Sequence, residues 1–118
     1  MRTWALLAVG AVLALTAYAA GDEPEKHEYP WNVGATCGDE SALVSWNPVN
    51  DTTNLSGYGV FRGTSASGPW TDLTPSLIAT TSYADSGLAP STTYYWFVRA
   101  VYVDEHYADS SVASCTTG

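Results

Sequence analysis

From Trp31 onward, apolar and polar residues alternate in short runs, and clusters of glycine, proline, serine, asparagine and aspartate separate the runs. Successive side chains on a strand point to opposite faces, so a period of two reads as β-structure. The pattern predicts seven strands. The first runs from Trp31 to Thr36, with Val33 and Ala35 on one face, and the second from Ala42 to Trp46, with Ala42, Val44 and Trp46 inward. The third runs from Gly57 to Arg62, with Tyr58 and Val60 inward. A short fourth, from Trp70 to Leu73, falls at an edge because Pro69 and Pro75 flank it. The fifth runs from Leu77 to Tyr83, the long sixth from Tyr94 to Val103, and the last from Ala108 to Thr116. No stretch carries a sustained helical period. Many short strands at regular spacing imply an all-β sandwich or barrel.

The pattern upstream is different. Met1-Arg2-Thr3 is a short positive start, Trp4 to Leu15 is an apolar run, and Ala17-Tyr18-Ala19 is a small-x-small site. Together they read as a signal peptide over residues 1–19, with Ala20 and Gly21 as neighbouring cleavage points. The alternative is a retained N-terminal anchor, although the run is shorter than the roughly 20 residues of a membrane span. Residues 20–30, AGDEPEKHEYP, are charged and hold little to bury, which predicts a linker or disordered tail. Residues 31–117 are then the folded domain.

Charge narrows the partners. Once the leader is removed, Lys26, Arg62 and Arg99 stand against all 12 acidic residues, a net of −9. Such a surface repels phosphate backbones and anionic headgroups, which excludes nucleic acid and, after cleavage, the membrane surface as partners. An exported chain meets an oxidising compartment, so Cys37 and Cys115 are expected to form a disulfide rather than two free thiols. The expected location is secreted, extracellular or periplasmic.

Several spaced features coincide. Trp46 is followed by Asn47-Pro48, and after a loop comes Tyr58-Gly59-Val60-Phe61-Arg62. Then Leu88-x-Pro90-x-Thr92-x-Tyr94 leads into alternating Trp96, Val98 and Ala100. In order and spacing the chain resembles a fibronectin type III domain over about Pro30 to Thr117. The resemblance implies a seven-stranded antiparallel Greek-key β-sandwich. It implies that Tyr94 forms a tyrosine corner, its hydroxyl bonded to backbone a few residues upstream. It also places Cys37 and Cys115 at the same pole, where a bridge would tie the first strand to the last, although the family usually lacks this pair.

No catalytic motif appears, and a non-enzyme without cofactor or metal is expected. His27 lies in the tail. Asp104, Glu105, His106 and Asp109 crowd the last hairpin without calcium-loop spacing, so they read as a solvated acidic turn. The sequons at Asn50 and Asn54 matter only in a glycosylating host.

The remaining signal is aromatic. If Trp96 and Val98 face inward, Tyr95, Phe97, Arg99 and Val101 face outward, and Phe61 joins them from the neighbouring strand. Phe61, Tyr95, Phe97 and Trp70 therefore form a candidate binding strip. Against binding stand simple cross-strand packing, or a cover supplied by the tail. The first functional expectation is a secreted interaction module for an extracellular protein or cell-surface component. The alternatives are a carbohydrate-associated accessory module and a structural, self-associating subunit.

Overall fold

The computed structural model describes residues 28–118, and the leader expected at 1–19 lies outside the described residues. The described chain is built from strands alone: β1 (Trp31–Cys37), β2 (Ser41–Asn47), β3 (Leu55–Gly63), β4 (Thr71–Asp72), β5 (Ser82–Ser86), β6 (Thr93–Tyr102), β7 (Tyr107–Asp109) and β8 (Ala113–Thr116). They make two antiparallel sheets. One has the order β1-β2-β5, and the other has β4-β3-β6-β7 with β8 also on β6. The chain crosses between sheets after β2, again before β5, and again before β6, which gives the Greek-key sandwich that the resemblance to a fibronectin type III domain implies.

The inward positions follow the period of two. Ala42, Val44 and Trp46 from β2 meet Tyr58 and Val60 from β3 and Trp96, Val98 and Ala100 from β6 in one buried core. Trp46 packs edge-on against Tyr58, with ring centroids 5.5 Å apart. Buried aromatics of this size supply much of the driving force for a sandwich this small.

Eight strand segments stand where seven were expected. Four residues of β6, from Arg99 to Trp96, face five of the closing strand, from Asp109 to Ala113. The extra residue is a bulge, and it divides the last strand into β7 and β8. The ladder is carried past the break by Ser110, whose N–H donates to the Val98 carbonyl at 2.8 Å and whose hydroxyl accepts the Val98 N–H at 2.9 Å. A one-residue bulge reverses which residues face in. Ala108 is half-buried before it, and Ala113 and Cys115 are half-buried after it. Without the shift Cys115 would point to solvent. With it, Cys115 meets Cys37 of β1, and the disulfide forms with the Cα atoms 5.8 Å apart.

Two other boundaries move. The fifth strand was expected at Leu77 to Tyr83, but the ladder with β2 spans Ser82–Ser86. Ile78 makes only an isolated bridge to Tyr58, because residues 77–81 are the crossing between sheets. Upstream, Glu28 and Pro30 are docked although they fall in the expected tail. Pro30 is fully buried, and the Tyr102 hydroxyl donates to the Glu28 carbonyl at 2.5 Å. The Glu28 carboxylate also accepts the Asn50 N–H at 2.5 Å. Burial, together with the Glu28 charge, pushes the Tyr102 hydroxyl above its usual pKa, so it remains a donor.

Tyr94 forms the expected corner. Its hydroxyl accepts the Ala89 N–H at 2.9 Å and fixes the crossing from β5 to β6 over buried Leu88.

The candidate outer-face site

Sheet β4-β3-β6-β7 turns its outer face to solvent. On that face β6 supplies Tyr95, Phe97 and Arg99, β3 supplies Phe61, and β7 supplies Tyr107 and Asp109. Register places Phe61 opposite Phe97, Arg99 opposite Asp109, and Val101 opposite Tyr107. The Phe61 and Phe97 rings are parallel within 5°, with centroids 4.8 Å apart.

Trp70 reaches this face because of a glycine. The Gly68–Pro69 peptide is cis, and the chain turns so that the indole lies over Gly63. A Cβ at Gly63 would sit 2.9 Å from the Pro69 carbonyl oxygen and 3.1 Å from the Trp70 ring, so any side chain there would displace the indole. Trp70 then meets Phe97 almost perpendicularly, at 88° and 4.9 Å. Tyr95 stands opposite Gly63 in register, on the same face.

The sequence reading brings Phe61, Phe97, Trp70 and Tyr95 together on one face, and the structure does place them there. Phe97 is not open to solvent, however. It points outward as alternation requires, yet it is only 8 % exposed, because Phe61, Trp70 and Arg99 close over it. Phe61, Trp70 and Tyr95 are half-buried. The face is a thin second core with rings at its rim.

Two residues outside the expected strip complete it. The Arg99 guanidinium carbon lies 3.9 Å from the Tyr107 ring centroid, 4.9 Å from that of Phe61 and 5.7 Å from that of Phe97. Asp109 grips the same guanidinium at 2.7 and 3.2 Å, and this bond raises the Arg99 pKa above its ordinary value. Tyr107 is 56 % exposed. The acidic turn hid it, because Asp104-Glu105-His106-Tyr107 reads as a solvated hairpin. Period-two counting from Asp109 would have placed Tyr107 on the same face.

The second guanidinium has an internal role. Arg62, from β3, donates to both carboxylate oxygens of Asp85 on β5, at 2.8 and 2.9 Å. The Trp96 indole N–H donates to the same carboxylate at 2.9 Å. Asp85 is buried, so one charged group joins the two sheets through an ion pair and a ring. Asp85 was not among the expected residues.

Among the described residues, no three His, Cys, Asp or Glu side chains gather into a metal-binding group. In the last hairpin, Asp104 pairs with His106 at 3.1 Å, and Asp109 is occupied by Arg99. A hollow of about 230 Å³ lies between Pro48, Leu55, Tyr58 and Ala79. That is smaller than the 300–1,000 Å³ typical of sites that enclose a small ligand. The outer aromatic face is the better candidate.

No family model matches the chain. An alpha-amylase of Niallia circulans is 33% identical over 104 residues, covering 87% of this chain and 7% of the relative. Exoglucanase B of Cellulomonas fimi is 34% identical over 105 residues, covering 84% of this chain and 9% of the relative. The chain thus spans less than a tenth of the length of either relative. Among solved structures, an Fn3-like protein from Clostridium thermocellum superposes with a TM-score of 0.64 at 29% identity, over 74% of this chain and 88% of that one. With the two sheets, the Greek-key crossings and the Tyr94 corner already in place, the described sandwich is a fibronectin type III domain.

Proposed function

We propose that this domain is a secreted, non-catalytic accessory module that works alongside polysaccharide-degrading enzymes and contacts the polysaccharide through its outer aromatic face. One observation carries the reading. Nearly the whole domain aligns with a short segment of each of two enzymes named as an alpha-amylase and an exoglucanase. The outer face supports it, because the partly exposed rings of Phe61, Trp70 and Tyr95, packed around the buried Phe97, suit the C–H faces of sugars. The acidic composition is compatible with export and disfavours nucleic acid. This reading places the polysaccharide ahead of the extracellular protein partner that the sequence alone put first.

The test is retention on insoluble polysaccharides. The exported protein is mixed with cellulose, granular starch, xylan and chitin, and the unbound fraction is measured after sedimentation. Depletion from solution by at least one of these is expected. Complete recovery in every supernatant overturns the reading.

A further inference from the structure

The same face has an order of support that points to where a ligand first lands. Phe61 and Phe97 are stacked and largely covered, so they offer little ring surface. They hold the Arg99 guanidinium from below, and Asp109 holds it from the side. Tyr107 lies on that guanidinium at 3.9 Å and remains more than half exposed. One face of the Tyr107 ring is therefore occupied by Arg99, and the other is presented to solvent at a fixed tilt. A ring braced in this way loses little freedom when something stacks on it, which removes part of the usual ordering cost of binding.

From this geometry we propose that Tyr107, braced by Arg99, is the stacking subsite of the outer face, and that it takes a neutral, hydroxyl-rich polysaccharide chain rather than a polyanion. The inference rests on the polysaccharide reading above and names the contact and the ligand class. The platform crosses from β7 to β4, about 14 Å at the usual spacing of roughly 4.8 Å between strands, which is longer than one pyranose ring. Charge sets the class. Both guanidiniums of the sandwich, Arg62 and Arg99, are already held by carboxylates. Asp109 is taken up by Arg99, while Asp72 stands opposite Phe61 and adds an acid at the other side, so the strip is left net negative. Carboxylates accept bonds from sugar hydroxyls and repel uronates, sulfates and phosphates.

The test compares the exported protein with Tyr107→Ala and Tyr107→Phe on insoluble cellulose and starch and on a polygalacturonate gel, at low and at high salt. Urea melts of each variant confirm that it is folded. Tyr107→Ala is expected to weaken retention on the neutral glucan at least tenfold. Tyr107→Phe keeps the ring and is expected to bind within about twofold of the parent. Retention on the glucan should not change with salt, because no net charge is neutralised. A folded Tyr107→Ala that binds as well as a binding parent overturns the subsite and leaves the polysaccharide reading standing. Preference for polygalacturonate, or retention that salt abolishes, overturns the neutral-ligand assignment. A parent retained on no polysaccharide overturns both, and capture only by a protein would have the same meaning.

Discussion

Replacing Cys37 and Cys115 together by serine is expected to lower the unfolding free energy by about 4.5 kcal/mol, the loop-entropy value for a closure of 78 residues. That is a large part of the roughly 5–15 kcal/mol that holds a domain of this size folded. The bridge acts mainly on the unfolded chain, which it prevents from expanding. In the folded state it joins β1 of one sheet to β8 of the other, at a pole where both strands are short of hydrogen-bonded neighbours. Urea melts of the parent, of the double variant and of the parent with reductant measure the effect. The variant and the reduced parent should coincide. A loss below about 1.5 kcal/mol would mean that the ends of the chain are held by other contacts even when unfolded.

The second large effect is expected at Trp96. Its side chain is fully buried and donates its indole N–H to the Asp85 carboxylate, which also holds Arg62. Trp96→Ala opens a cavity and removes a charge-assisted bond, which points to the upper end of the usual range, about 5 kcal/mol. Trp46 is an internal comparison. It is similarly buried, but its indole nitrogen has no hydrogen-bond partner among the described residues. Trp46→Phe therefore loses ring volume alone, whereas Trp96→Phe also leaves a buried carboxylate one donor short. Chemical denaturation should show Trp96→Phe costing about 1–3 kcal/mol more than Trp46→Phe. Equal costs would mean that the bond between indole and carboxylate adds nothing to the junction of the sheets.

Most of this architecture was legible along the chain because its strands are buried on one face and register is then marked residue by residue. Ala42, Val44 and Trp46, and likewise Trp96, Val98 and Ala100, all face the core as alternation requires. Four features escaped for physical reasons. Ser82–Ser86 looks too polar for a strand, because aspartate and serine are depleted there. Asp85 is inward only because Arg62 and Trp96 lie across from it on the other sheet, and that pairing is between residues distant in sequence. Leu77 and Ile78 are apolar yet belong to the crossing, where they lie against β3. The bulge at 110–112 leaves no trace in composition, since its effect is only to change which residues face inward. The candidate site was legible as a face but not as a surface. Alternation correctly sent Phe97 outward, but it could not show that Trp70 would be drawn over Gly63 to cover it, or that Tyr107 would rest on Arg99.

The bridge also has a mechanical meaning. The described chain enters at the pole of Glu28 and Tyr102 and leaves at the opposite pole, where the Gly118 N–H donates to the Gly38 carbonyl. A pull applied at those two ends runs along the strands. With Cys37 and Cys115 joined, only the described stretches outside the bridge, residues 28–37 and 115–118, can be drawn out, on the order of 50 Å of extended chain. With the thiols reduced, the same pull could unravel on the order of 300 Å of chain. Oxidised, the module is a strut of nearly fixed reach, and reduced, it becomes an extensible tether.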